Sequence, residues 1–371
     1  MTVHTVPAPP CRRCEKTLYT YFNMTYAIIL AGGKGRRLWP VSRQNMPKQF
    51  VDFFGSGSTL LQQTYERMAR IIAKENIFVV TRKDFEDIAR QQLPALPQDN
   101  LILETVNRNT APSALLALRT ISSRHAECKA GNAAQPSVVI VPADQLILNE
   151  EKFWDAVERG ASFVQSHECI LTMGVTPSRP EPGYGYIQMG YGENDVHRVK
   201  SFSEKPDREF ARMFIDSGEF LWNTGIYMSA LPYLKSQLQL LLNAADEIDY
   251  SRLPNLSIDM AILEKMDSKA VMHCTFGWAD IGAWHGIYEA LSNDETDNVL
   301  VNGNSRLLAE DSTHNVVALP NGKLAILSGL DGYIVAEKDD ILMICRKEDS
   351  SALIRKILSR IENEDSLEKY I

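Results

Sequence analysis

A chain of 371 residues has room for one large domain with a small one beside it, or for two of medium size. Its 44% hydrophobic and 23% charged residues are those of an ordinary soluble globular protein, and no run of 18 apolar residues marks a membrane span. The formal net charge of -8 gives no general attraction to nucleic acid or to an anionic membrane, so any cationic site has to be local.

Six cysteines are scattered along the chain, and only Cys11 and Cys14 stand in a C-x-x-C spacing. One such pair without a second is a poor zinc site, and the scatter suits a reducing cytoplasm. Residues 1–24 carry no apolar h-region and are expected to form a tail of unassigned role.

Tyr26–Leu30 is an apolar run ending at glycine, the pattern of a buried strand. Helical spacing follows over Thr59–Lys74, then a strand at Ile77–Thr81, a helix at Phe85–Leu93 and a short strand at Leu101–Leu103. Ala111–Arg124 is expected as a helix opening after Asn109-Thr110, Ser137–Val141 as a buried strand, Phe153–Gln165 as a helix and Cys169–Gly174 as a strand. Strands alternating with helices in this way predict a parallel or mixed sheet covered on both faces, with ligands at the carboxyl ends of the strands. Residues 181–190 suggest a hairpin and 196–207 a strand leading to a loop; helices return at Arg208–Ser217 and Pro232–Leu242. From about Asp297 short β-like runs arrive every eight to twelve residues, closed by a helix at Ser351–Glu362. A boundary near residue 290 therefore separates residues 25–290 from a small β-rich unit, 291–371.

Chemistry gathers first at "LAGGKGRRLWP". Gly32, Gly33 and Gly35 after a strand let backbone amides approach phosphate, while Arg36, Arg37 and Lys48 supply the charge that a polyphosphate needs. A bare glycine turn would be only a tight connection, and this one matches neither the G-x-x-x-x-G-K-[ST] loop nor the dinucleotide fingerprint. Asp144 in "VPADQ" and Asp280 in "GWADIG" could jointly hold one Mg²⁺, although each alone reads equally well as a cap or turn residue. Glu204 and Lys205 in "FSEKPD" pair a hydroxyl acceptor with a phosphate-binding cation, or form a surface turn. Asn223 in "FLWNTGIYMS" suits hydroxyl recognition; Asn109 and Thr110 either cap a helix or line a base pocket. Gly185 lies in "EPGYGYI". No His-based triad or G-x-S-x-G elbow supports covalent catalysis.

Taken together and in order, "AGGKGRRLWP" with "PKQF", "RNTAP", "PAD", "YGYI", "EKP", "WNTGI" and "WADIG" resemble the motifs of the sugar-nucleotide pyrophosphorylases, from about residue 26 to 350. Trp39 favours the guanylyl branch that acts on mannose 1-phosphate. The resemblance implies a Rossmann-like αβα sandwich with a mixed sheet and a C-terminal unit like a left-handed β-helix. It implies transfer of GMP from GTP to α-D-mannose 1-phosphate, releasing pyrophosphate, assisted by Mg²⁺. Leu30, Ala31, Gly32, Gly33, Gly35, Arg36, Asn109 and Thr110 would then bind the nucleotide, and Gly185, Glu204, Lys205 and Asn223 the sugar phosphate. Arg37, Lys48 and Lys205 would be catalytic, and Asp144 and Asp280 would hold the metal. Arg36 stands where the family commonly has Thr, so two adjacent arginines compete for the triphosphate, with Arg37 preferred because it aligns with the family's "RL". Gln145 and Thr224 replace the usual His and Ser. The rival expectations are a relative using another sugar 1-phosphate or nucleotide, a non-catalytic homologue and, more remotely, a dinucleotide oxidoreductase. A homodimer is a further expectation.

Overall fold

The computed structural model describes residues 24–128, 135–244, 249–292, 294 and 296–371. Cys11, Cys14 and nearly all of the expected tail lie outside the described residues. Among the described residues no helix is long and apolar enough to cross a membrane.

Four apolar runs become parallel strands: β1 (Thr25–Leu30), β2 (Ile77–Arg82), β3 (Leu101–Glu104) and β4 (Ser137–Pro142), in the order β3-β2-β1-β4. Side chains alternate across them. Ala27, Ile29, Val79 and Val139 face one apolar layer with α1 (Leu60–Ala69), α2 (Glu86–Gln92) and α4 (Glu150–Ser166). Ile28, Phe78, Val80 and Ile140 face the other, with α3 (Thr110–Cys128) and α6 (Leu231–Leu241). Burial on both faces explains why these strands read as continuous apolar runs rather than alternating ones.

The sheet continues past β4 as β9-β6-β10-β8-β7, built from β6 (Ile170–Val175), β7 (Gly185–Glu193), β8 (Val196–Glu204), β9 (Phe220–Ala230) and β10 (Lys269–Cys274). Of these, β9 pairs antiparallel with both β4 and β6, which makes the nine-stranded sheet mixed. The sheet is therefore the αβα sandwich expected. The hairpin expected over 181–190 is instead one strand, β7, which starts at Gly185 and pairs with β8 and β9. The helix expected at Thr59–Lys74 is shorter. Thr59 caps α1 and forms a reciprocal capping box with Gln62, and the helix ends at Ala69.

A two-stranded ribbon, β5 (Gln145–Ile147) with β11 (Trp278–Asp280), stands beside the main sheet. α5 (Arg208–Ser217) joins β8 to β9, and α7 (Trp284–Leu291) precedes the C-terminal strands. There β12 (Val299–Leu300), β14 (Val316–Ala318) and β16 (Tyr333–Lys338) stack in parallel, with β17 (Ile341–Arg346) antiparallel at the edge; β13 (Arg306–Glu310) pairs with β15 (Leu324–Ser328). The register partners Arg306 and Leu324, like Val316 and Ile334, are 18 residues apart (324 − 306 and 334 − 316), so the chain winds as a parallel coil. α8 (Ser350–Glu362) closes it. One apolar cluster joins Leu38, Trp39 and Trp284 to Val316, Ile334, Ile354 and Leu358, so packing is continuous across the boundary expected near residue 290.

Candidate active site

The glycine turn leaves β1 at the carboxyl end of the sheet. Its carbonyls are taken by buried side chains: Gln49 Nε2 donates to Ala31 O (2.9 Å) and Gly33 O (2.8 Å), and Thr81 Oγ1 donates to Ala31 O (2.9 Å). Among the described residues, no protein acceptor takes the amides of Gly32, Gly33 or Gly35. Gly35 has φ 61°, and a Cβ there would lie 2.6 Å from Ser42 Oγ and 2.9 Å from Lys48 N. Only glycine lets the turn fold so closely over the segment that carries Lys48.

Lys48 is 6% exposed, and its ammonium reaches two carboxylates from distant parts of the chain. Nζ lies 2.9 Å from Asp144 Oδ2 and 3.8 Å from Asp280 Oδ1. The β5–β11 ribbon brings these aspartates together, because Gln145 is the register partner of Asp280. Gln145 itself donates from Nε2 to Thr224 O, and Thr224 Oγ1 donates to Met173 O (2.7 Å), so both departures from the family pattern are absorbed as structural bonds. Among the described residues no group of three or more His, Cys, Asp or Glu gathers in metal-ligating positions.

The two adjacent arginines part company. Arg36 forms an ion pair with Glu362 at the end of α8. Arg37 has no ion-pair partner among the described residues and lies beside Asp280. A Cβ added at Gly282 would meet Arg37 Nη2 at 2.8 Å and Asp280 Oδ2 at 2.7 Å. The same turn is tied to the C-terminus by Trp39 Nε1, which donates to Tyr370 O (2.8 Å).

A cleft of about 400 Å³ opens beside the turn, walled by Leu30, Gly32, Gly33, Asn109, Thr110 and Asp144. Asn109 adopts φ 71° and caps the following turn, its Oδ1 accepting from Thr110 N (2.9 Å); Thr110 Oγ1 accepts from Ile258 N (2.8 Å). Ala31 is buried beneath the turn and contributes only through its backbone. Two carboxylates in this cleft had no separate signal in the sequence. Glu104, 5% exposed, ends β3 directly after three apolar residues. Asp259 directly precedes a π-helical turn, Met260–Glu264, a local irregularity that often accompanies function.

Asn223 is already engaged. Its Nδ2 donates to Asp259 Oδ1 (2.8 Å) and to Tyr227 Oη (3.1 Å), and its Oδ1 accepts from Thr172 Oγ1 (3.1 Å) and Gly225 N (3.2 Å). Tyr227 also donates to Asp259 Oδ1 (2.7 Å); burial first, then the Asp259 charge, pushes its phenol well above the usual range. Further along, Gly185 is the register partner of Glu204, which pairs with Lys205. A Cβ at Gly185 would lie 2.8 Å from the Phe202 ring and 3.1 Å from Glu204 Oε2. Tyr184 packs edge-on to Trp222 and Trp278, and burial followed by the nearby Asp280 charge raises its pKa. The structure thus joins Arg37, Lys48, Asp144 and Asp280 in one cluster and sets the cleft beside it through Asp144. Gly185, Glu204 and Lys205 form a second group, linked to the cluster through Tyr184, whose hydroxyl donates to Asp280 O (3.4 Å).

Comparison with known proteins gives the family. The nucleotidyl transferase family matches residues 26–297. The mannose-1-phosphate guanylyltransferase of Klebsiella pneumoniae is 31% identical over 370 residues, covering 92% of this chain and 75% of the relative. The alginate biosynthesis protein AlgA of Pseudomonas aeruginosa is 33% identical, covering 86% of this chain and 69% of its own length. Among solved structures, one described as a mannose-1-phosphate geranyltransferase from Thermus thermophilus superposes with a TM-score of 0.79 at 30% identity, covering 91% of this chain and 99% of that one.

Proposed function

The chain belongs to the nucleotidyl transferase family, and we propose that it is the enzyme that transfers GMP from GTP to α-D-mannose 1-phosphate, giving GDP-mannose and pyrophosphate. The observation that carries this reading is the Lys48 ammonium held between Asp144 and Asp280 where the glycine turn meets the cleft. A phosphate oxygen of the sugar phosphate attacks the α-phosphorus in line. As that P–O bond forms, the bond from the α-phosphorus to the bridging oxygen breaks, and pyrophosphate leaves with the electron pair. The nucleophile is already an anion, so no general base is required. The work left to the protein is alignment and neutralisation of charge.

In this reading the free amides of Gly32, Gly33 and Gly35 cradle the phosphates. Arg37 and Lys48 screen the triphosphate and the departing pyrophosphate, while Arg36, held by Glu362, serves the shape of the turn. Asn109 and Thr110 border the nucleoside, Glu204 accepts from sugar hydroxyls and Lys205 meets the sugar phosphate. Asn223, with both amide hydrogens spent, holds Asp259 in place for the ligand.

Asp144 and Asp280 fit a divalent cation such as Mg²⁺, because both offer hard carboxylate oxygens and both face the Lys48 ammonium. A bound Mg²⁺ would supply charge neutralisation at the reacting phosphates. The 18-residue offset of the C-terminal coil supports a β-helix, whose left hand is part of the same reading, as are the division near residue 290 and a cytoplasmic location.

A related enzyme using another sugar 1-phosphate or another nucleotide is the second reading, since a pocket discriminates only modestly between similar apolar contacts. Measuring pyrophosphate release for each nucleoside triphosphate with each sugar 1-phosphate separates the two. Highest kcat/KM for GTP with mannose 1-phosphate supports the proposal, and a clear preference for another pair overturns it.

A further inference from the structure

We infer that Arg179 is a positioning residue, its guanidinium holding Tyr184 and Trp222 as a fixed wall between Asp280 and Lys205; this rests on the reading of Gly185, Glu204 and Lys205 as the sugar-phosphate group. Arg179 lies in the loop that joins β6 to β7, and its charge is already spent within the protein. Nη2 stands 3.0 Å from Glu181 Oε2 and also pairs with Glu289 of α7, whose other oxygen meets His285 Nε2 at 3.0 Å. One guanidinium facing two carboxylates offers no net positive charge to a ligand phosphate. It does have two aromatic faces beside it. The guanidinium carbon is 5.1 Å from the centre of the Trp222 ring and 5.7 Å from that of Tyr184, and the two rings meet edge to face at 5.1 Å. A planar cation stacks on such faces while its edge keeps both carboxylates, a combination that a lysine ammonium does not reproduce.

Tyr184 touches both halves of the site. Its hydroxyl donates to Asp280 O (3.4 Å), and its carbonyl accepts from Lys205 N (3.2 Å). Lys205 has φ 49°, so that bond also supports a backbone conformation that lysine seldom adopts. Trp222 directly precedes Asn223 and is the register partner of Tyr186. α7 braces the same wall: a Cβ on Gly286 would lie 2.5 Å from Asp280 O and 3.6 Å from Tyr184 Oη, and Glu289 follows on the same helix. Glu181 shapes the loop itself, since its Oε1 accepts from Gly183 N (2.8 Å) just before Tyr184. Without the guanidinium, Glu181 and Glu289 would lose their shared cation and Tyr184 the stack beside it. In-line attack tolerates little displacement between nucleophile and phosphorus, so a shift of this wall appears as lost rate.

Steady-state pyrophosphate release by Arg179→Ala, Arg179→Lys and Glu289→Gln tests the inference, each substrate being varied at a saturating level of the other. Arg179→Ala is expected to raise KM for mannose 1-phosphate about 10-fold and to lower kcat about 10-fold, with KM for GTP changed by less than about 2-fold. Arg179→Lys, which keeps the charge but not the flat stack, should recover part of both losses. Equal rises in the two KM values, or wild-type kinetics whatever the thermal midpoint does, would overturn the inference and leave Arg179 as a structural ion pair. Should Arg179→Ala fail to fold, Glu289→Gln decides. A KM for mannose 1-phosphate about 3-fold higher in that variant, with KM for GTP unchanged, supports the inference, and an unchanged one overturns it. Wild-type protein that prefers another sugar 1-phosphate would sink the proposed reaction, and the same split of KM values measured with that sugar then tests Arg179 as before.

Discussion

At the scale of single residues, two neighbours with the same chemistry are separated by their partners. Arg36 is committed to Glu362, whereas Arg37 lies beside Asp280 in the cluster around Lys48. Arg37→Ala is therefore expected to lower kcat by about 10²-fold, with Arg36→Ala costing only a few-fold; steady-state pyrophosphate release reads both. Comparable losses in the two variants would remove the distinction. Lys48→Ala and Asp280→Ala are each expected to lower kcat by about 10²-fold or more, measured in the same assay. Gly282 is a further probe because any side chain there enters the space of both Asp280 and Arg37. Gly282→Ala should cost activity while leaving the thermal midpoint nearly unchanged, since the clash falls on the cluster and not on the core.

Among elements, the short ribbon of β5 and β11 matters more than its length suggests. It places Asp144 and Asp280, 136 positions apart (280 − 144), around one ammonium. α1 contributes differently, through its start. The Thr59–Gln62 capping box satisfies donors that would otherwise be lost at the first turn of a helix packed under β1. Thr59→Ala is expected to cost about 1 kcal/mol of stability. The lowered midpoint would appear in thermal unfolding, and an unchanged midpoint would mean that the cap contributes nothing.

At the scale of the whole molecule, two of the buried thiols among the described residues belong to the main sheet, Cys274 at the end of β10 and Cys169 directly before β6. Burial pushes the Cys274 thiol up to about 12 and Cys169 up to about 11, from an ordinary 9.0. The sign follows from linkage. Below pH 9 both states keep the protons and the fold keeps its full stability; above it the unfolded chain releases protons that the fold retains. Stability should therefore fall from about pH 9 toward pH 11, by up to about 1.4 kcal/mol per pH unit for each thiol. Cys274→Ala should lose less over that interval, as read from urea midpoints at pH 8, 9, 10 and 11. Equal slopes in wild type and variant would show that the thiol does not drive the loss.

Local pattern alone was enough for the strands at 26–30, 77–81 and 137–141 and for the placement of the glycine turn. A doubly covered sheet demands unbroken apolar runs, and a turn folded as closely over Ser42 and Lys48 as this one demands a residue without a side chain. The same pattern hid β9, because its Trp-Asn-Thr-Gly stretch interrupts the apolar run that announces a central strand. It hid Glu104 too, since one acidic residue after Leu-Ile-Leu has the same appearance whether it faces water or a cleft. Only the tertiary structure decided that Asp144 and Asp280 share Lys48, that Arg36 turns to α8 and that Asn223 is occupied. The physical reason is range. Propensity and periodicity act over a few residues, whereas these contacts are fixed by strand order and register between segments far apart in the chain.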